Sequence, residues 1–416
     1  MNKLYQSLII GIGVLTLIGC SNESDNEETV AEPKPISLNW EESRAMEELT
    51  DCSVKLYNSY FKADNADKNG NIVVSPLCMM NATGMLLNAC EPAERTTALS
   101  NLGLTDINEL NSMLSRLFNE LPSVDTKGVQ LTMANSLWLN DQLQAKTTNG
   151  YSDVLGKYFS AQVYSEDFGS AKAPTTINNW VAEHTEGFIK DIVQPNSLTE
   201  DKISMLISTL FFDGKWKKPF TSSKTKKGDF TIGTGEKVSV EMMNEIFVIP
   251  YAKNEDFEAI TLPYGNAMYE MVIALPTVGN SAYDILQKAV DNPPLYLDIY
   301  DVNLSMPKFT CSYTYDATKI LESIGVDVEN LAIDGITVGS SASPVVQKIE
   351  ACQKTILSVN ENGTKVASTT KITGGLTAPM PKNIIFTLDR PFAFYIHEKS
   401  SHALIAMGVI NNPLAE

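Results

Sequence analysis

The chain has 416 residues and a formal charge of −18 at neutral pH, with 50 acidic against 32 basic side chains. That balance argues against nucleic acid or an anionic lipid surface as partner and favours solubility. Length alone suggests two or three domains, yet no low-complexity run, Pro/Gly hinge or internal repeat follows residue 40, so one large domain is expected.

Residues 1–19 read as a targeting segment. Lys3 supplies a short positive start, and Leu8 to Ile18 form an apolar run too short for a stop-transfer helix. Leu17-Ile18-Gly19-Cys20 resembles a bacterial lipobox, in which the peptide is cut before the Cys and the Cys is acylated. The alternative is an ordinary secretory signal with a chance Cys. Residues 20–40 form an acidic tether with Glu23, Asp25, Glu27 and Glu28 closely spaced, too polar to bury a core. Such a cluster is similar to surface-export signals of some Gram-negative lipoproteins. The expectation is an exported bacterial lipoprotein at the outer membrane or cell surface, held there through its N-terminal lipid. Residues 41–416 would then form the single domain.

Residues 42–62 predict a helix, with Met46, Leu49, Cys52, Leu56 and Tyr60 recurring at spacings of three and four. A polar turn from Lys62 to Asn71 leads into a short strand, Asn71 to Ser75, stopped by Pro76. Met79 to Ala89 predict an apolar helix. Val129 to Leu139 alternate as a strand does. Cys52, Cys78, Cys90, Cys311 and Cys352 show no CxxC spacing and read as buried small hydrophobes.

Enzyme chemistry finds no support. The three histidines are His184, His397 and His402. His397-Glu398-Lys399-Ser400-Ser401-His402 has one residue too many for a zinc-binding HExxH and lies between two strand-like runs, where a hairpin turn is expected. There is no G-x-S-x-G elbow and no Walker loop. His184 follows Trp180 on one helix and reads as structural. No metal site and no cofactor are implied.

Val359 to Pro381 is the unusual stretch. It starts as a buried strand (Thr355, Ile356, Leu357, Val359), then turns long, small-residued and polar, and ends in Pro379 and Pro381. Segments of this length inside a compact chain are functional or disordered. Thr and Val favour strands, and no Pro occurs between Gly363 and Ala378. As a strand it would set Thr364, Val366, Ser368, Thr370, Ile372 and Gly374 on one face. Lys365, Ala367, Thr369, Lys371 and Thr373 would take the other. One face is fit for burial, so the loop reads as a strand not yet in a sheet.

Glu361-Asn362-Gly363-Thr364-Lys365-Val366-Ala367-Ser368-Thr369-Thr370 resembles the reactive-loop hinge of serpins. Asp389-Arg390-Pro391-Phe392-Ala393-Phe394 and Met407-Gly408-Val409-Ile410-Asn411-Asn412-Pro413 resemble the two C-terminal strands of that family. Asn71 to Pro76, Ala134 to Trp138, Ile177 to Ile189, Leu262-Pro263-Tyr264 and Leu304 to Phe309 match other family segments in the right order. Phe212-Asp213-Gly214-Lys215-Trp216 matches a turn after a central strand. The resemblance implies an α+β serpin fold: three β-sheets (A–C), eight or nine helices and an exposed reactive-centre loop at about 361–381. It implies a monomer that is not an enzyme but a suicide-substrate protease inhibitor. A serine endopeptidase, or a cysteine one, would be trapped as an acyl-enzyme while the cleaved loop inserts into sheet A. The family's count from the hinge Gly gives Thr377–Ala378 as the scissile bond, with Leu376–Thr377 as neighbour. Leu376, Thr377 and Ala378 therefore imply elastase-, chymotrypsin-, subtilisin- or papain-like targets. The alternative is a non-inhibitory surface binding protein of the same fold. Positions of the family's shutter and breach, where sheet A must part, fall on Ser75, Cys78, Ser208, Trp216 and Gln353. Cys78, Ser208 and Gln353 depart from the usual Ser, Asn and His. Gln353 and Ser208 could bond each other.

Overall fold

Pro76 decides how the chain enters its interior. Ile72–Val74 is a three-residue strand. Pro76 then opens the helix Pro76–Ala89, where its missing N–H costs nothing. The Ser75 side chain caps that helix by accepting the Cys78 N–H at 3.4 Å. The helix is apolar nearly all round and buried along most of its length, as a central helix must be.

The computed structural model describes residues 32–63, 70–195, 197–294, 298–316, 318–327, 329–340, 345–347, 352–364 and 383–415. Cys20, the targeting segment and loop residues 365–382, with Leu376, Thr377 and Ala378, lie outside them. Eight α-helices are present among the described residues. The first, Trp40–Ala63, covers the expected 42–62 span. Ile36, within the segment read as a tether, is buried, and its N–H donates to the Ser400 hydroxyl at 2.8 Å.

The central sheet runs Phe309–Asp316, Cys352–Asn360, Gly363–Thr364, Ser204–Lys215, Val129–Asn140, Gln162–Glu166. Beside two short two-stranded sheets, two larger sheets share one strand, Lys237–Lys253. Its last residues, Tyr251 to Lys253, pair with Phe257–Pro263. That sheet continues through Tyr269–Pro276, Phe392–Glu398 and Leu404–Ile410 to Ile72–Val74. Its earlier residues pair with Lys226–Thr231 on one side and Ile299–Pro307 on the other. Asn383–Thr387, the first strand after the loop, pairs in parallel with Ile299–Pro307.

Helix Ala173–His184 lies against Val129–Asn140 and Ser204–Lys215. It starts four residues before Ile177 and stops short of Ile189. Gly187 closes it, at φ 71°, with its N–H on the Ala182 carbonyl at 2.7 Å. The His397–His402 segment joins Phe392–Glu398 to Leu404–Ile410 as a hairpin, with Glu398 accepting from the Ser400 and Ser401 amides.

Candidate functional site

At the end of Cys352–Asn360 the chain reverses over Glu361 and Asn362. The Asn360 side chain accepts the Asn362 N–H at 2.9 Å, a turn built by one Asn. Gly363 and Thr364 then pair antiparallel with Asn360 and Val359 on one side and with Lys215 and Gly214 on the other. Thr364 is fully buried. The resemblance has this residue outside the sheet until cleavage; the structure has it already inside. The physical reason is Gly363: with no Cβ there, its backbone comes close enough to Gly214 and Lys215 to pair.

Four side chains hold this turn. Trp216 donates its indole N–H to the Asn360 carbonyl at 3.0 Å, and its own N–H to Asn362 at 2.8 Å. The Tyr264 ring stacks on Trp216 at 4.5 Å. The Tyr264 and Thr364 hydroxyls share a hydrogen bond of 2.6 Å. Glu361 accepts from Thr225 at 2.8 Å and pairs with Lys308 at 3.1 Å. Burial alone would raise the Glu361 carboxyl; a backbone N–H, Thr225 and Lys308 outweigh it and hold it below the ordinary range.

Phe212 to Lys215, read from sequence as a turn, belong to the strand Ser204–Lys215. A Cβ at Gly214 would stand 2.8 Å from the rings of Phe212 and Tyr264. That glycine makes room for aromatic packing, and only Trp216 lies past the strand's end.

Below Thr364 the sheet is open. Among the described residues, Ser204–Lys215 and Cys352–Asn360 form no ladder with each other. A cavity of about 130 Å³ separates them, floored by Ser75, Cys78 and Met79 and walled by Leu206, Ser208, Leu210, Thr355 and Leu357. Leu206, Leu210 and Phe212 point to the core side, yet are only half-buried because the slit beside them is unfilled.

The Cys78 thiol contacts the Ser75 and Ser208 side chains inside this slit. Burial pushes it up to about 11, against the pull of those two hydroxyls. Ser208 thus faces Cys78; the Gln353 side chain lies outside the described part. Across the slit, Lys354 pairs with Asp191 at 2.6 Å, joining the strand on one bank to the segment packed over the other. Tyr264, Thr225, Lys308 and Asp191 were not singled out as functional from sequence. No local spacing links them to the hinge, which lies between 53 and 173 residues away along the chain.

The histidines do no visible chemistry. His184 Nδ1 lies 2.8 Å from the Trp180 carbonyl, and its ring stacks on Trp180. His397 is buried in its sheet. Among the described residues no three His, Cys, Asp or Glu side chains are placed to hold a metal ion.

The serpin (serine protease inhibitor) family model matches residues 47–413. The chain belongs to the serpin family. Serine protease inhibitor 42Dd of Drosophila melanogaster is 27% identical over 343 residues, covering 80% of this chain and 89% of its own. The thermophilic serpin tengpin in its native state superposes with a TM-score of 0.75 at 26% identity, over 92% of this chain and 96% of that one. Thyroxine-binding globulin in complex with thyroxine superposes at 0.74 with 23% identity, over 89% and 99%. The fold is the serpin fold: sheet A is the central sheet with the slit, and sheets B and C meet in Lys237–Lys253. Serpins are in general protease inhibitors rather than enzymes.

Proposed function

We propose that this serpin inhibits endopeptidases as a suicide substrate, by inserting its cleaved loop into the slit of sheet A. The observation that carries this reading is the register of Gly363 and Thr364. Thr364 sits between Val359 and Gly214. Continuing that pairing sets Val366 between Leu357 and Phe212, Ser368 between Thr355 and Leu210, and Thr370 between Gln353 and Ser208. In an antiparallel ladder, paired residues share a face. Each of these loop residues therefore enters the unfilled, core-facing side of the slit, and its backbone finds a strand on both sides. The reaction gains ladder hydrogen bonds and apolar burial only after the loop is cut.

The chemistry is acyl transfer. The protease nucleophile attacks the carbonyl at Leu376 or Thr377, the following amine leaves, and the acyl-enzyme is carried away with the inserting strand. Leu376 and Thr377 favour elastase-, chymotrypsin-, subtilisin- or papain-like enzymes. A trypsin-like enzyme would cut at Lys371 and leave a strand too short to trap it.

The deciding experiment incubates the protein with a protease panel. It looks for SDS-stable complexes and sizes the released C-terminal peptide by mass spectrometry. A complex, with a peptide starting at Thr377 or Ala378, supports inhibition. Cleavage at those bonds with no complex supports a non-inhibitory binding protein of the same fold. We propose in addition that the mature chain starts at an acylated Cys20 and works as a monomer at the outer membrane or cell surface. The lipobox-like Leu17 to Cys20 supports the anchor.

A further inference from the structure

A strand entering a sheet can slip by two residues and still bury the same set of side chains, because their period is two. In this loop the slip would be cheap: Thr364, Val366, Ser368 and Thr370 are similar in size. Apolar burial alone does not choose between registers, so some polar or steric feature at the mouth of the slit must.

The mouth holds both kinds. A Cβ at Gly363 would stand 2.0 Å from the Gly214 carbonyl oxygen, so that place rejects every other residue type. One position on, the Tyr264 hydroxyl bonds Thr364 at 2.6 Å. Two aromatic neighbours hold its ring, and a hydrogen bond holds its backbone. Trp216 stacks on the ring at 4.5 Å, Phe212 meets it edge-on at 5.3 Å, and the Tyr264 N–H is bound to the Tyr269 carbonyl at 2.9 Å. Tyr264 and Thr364 are both fully buried, so neither hydroxyl turns to water instead. Trp216, the stacking partner, also holds the Asn360 carbonyl from which the hinge departs.

We propose that Tyr264 is the positioning residue that sets the register of loop insertion, by recognising the hydroxyl of Thr364. Gly363 excludes wrong residues from its place, and Tyr264 rewards the right one. The role in trapping rests on the inhibitory reading above; the role in holding the hinge does not. With Thr364 fixed, the length from hinge to scissile bond decides how far a bound protease is carried. A hinge that slips or leaves the sheet hands the protease a slower insertion, and more molecules are cut without trapping.

The test compares the full-length protein with Tyr264→Phe, Thr364→Val, Thr364→Ser and the double Tyr264→Phe/Thr364→Val. The first readout is amide exchange of the 361–366 peptide by mass spectrometry. Tyr264→Phe and Thr364→Val should each speed exchange about three- to tenfold, the worth of one buried hydrogen bond. The double should be no faster than either single, since both act on one bond. Thr364→Ser keeps the hydroxyl and should match the parent. The second readout is the number of inhibitor molecules consumed per trapped protease, which should rise in both single variants. Additive effects of the two singles, or a Tyr264→Phe protein exchanging like the parent, would overturn the proposal. Tyr264→Leu controls for packing: if only Leu disturbs the hinge and Phe does not, the ring matters and the hydroxyl does not. Should no protease form a complex with the parent, the inhibitory reading fails, and the exchange data still judge Tyr264.

Discussion

Gly363 approaches Gly214 so closely that a Cβ on residue 363 would stand 2.0 Å from the Gly214 carbonyl oxygen. Backbone cannot retreat as a flexible side chain can, so Gly363→Ala should expel the hinge from the sheet. Overpacking of this kind costs about 1–3 kcal/mol. The expected protein is folded, with fast amide exchange at 362–364 and fewer SDS-stable complexes per cleavage. Normal hinge protection in Gly363→Ala would show that the sheet mouth adapts more freely than the geometry allows.

Insertion should obey a period of two. On insertion Val366 would follow Thr364 onto the buried face, so Val366→Arg would bury an unpaired charge at a cost of several kcal/mol. Lys365 would then take the other face, and Lys365→Glu should cost within about 0.5 kcal/mol. The first variant should be cut at the same bond without trapping and should lack the rise in melting temperature expected of the parent on cleavage. The second should keep both. Equal behaviour of the two would refute the register.

Lys354 and Asp191 clasp the slit from the front. Asp191 is largely exposed, so the pair contributes at most about 1 kcal/mol to the equilibrium. Its kinetic role should be larger, because the two banks must part before a strand enters. Asp191→Ala should lose inhibitory activity faster on mild heating, by conversion to a form that is intact, loop-inserted and inactive. The check is the decay rate of activity together with an uncut chain on a gel.

His397 and Glu270 face each other across two strands, with 3.7 Å between Nε2 and Oε2. Burial, helped by His402 and Lys399, pulls His397 down from 6.5 to about 3. Burial pushes Glu270 up from 4.5 to about 7, against Lys399. Between pH 6.5 and 3 the unfolded chain binds a proton at His397 that the folded chain refuses, so stability falls as pH falls. Between pH 7 and 4.5 the folded chain holds a proton on Glu270 that the unfolded chain lacks, so stability rises as pH falls and is complete below 4.5. The two offset each other down to about 4.5, and only the His397 loss remains below. Glu270→Gln should therefore start losing stability near pH 6.5. Urea unfolding across a pH series tests this; a variant curve parallel to the parent's would remove its basis.

The N-terminal anchor is testable apart from inhibition. Cys20→Ala should leave the protein out of the membrane fraction. A variant still wholly membrane-bound would rule out lipid at that residue.

Much of this site is legible in the chain because its signals are local. The alternation of 129–139, the Pro after Ser75 and the small-residue run after Gly363 each carry a backbone period or a turn preference. What escaped reading depends on residues far apart. Tyr264 meets Thr364 across 100 residues, and Lys354 meets Asp191 across 163. Gly214 misled for a related reason. In Phe212-Asp213-Gly214 a glycine suggests a turn, but two aromatic rings packed beside it keep the strand straight to Lys215. A thiol from the helix beneath, Cys78, reaches Ser208; the expected partner Gln353 has its side chain outside the described part.

The order of strands in sheet B also governs when the molecule can fold. Leu404–Ile410 pairs with Ile72–Val74 on one side and with Phe392–Glu398 on the other, and Phe392–Glu398 pairs in turn with Tyr269–Pro276. Leu404–Ile410 thus lies inside a sheet whose edge, Ile72–Val74, is made more than three hundred residues earlier. At about 5–20 residues per second of synthesis, that edge waits tens of seconds for its partner strands. All of the loop emerges before the hairpin that completes the core. A chain shortened by Phe392–Glu398 and Leu404–Ile410 would lack the interior of sheet B and leave Ile72–Val74 without the strand it pairs with.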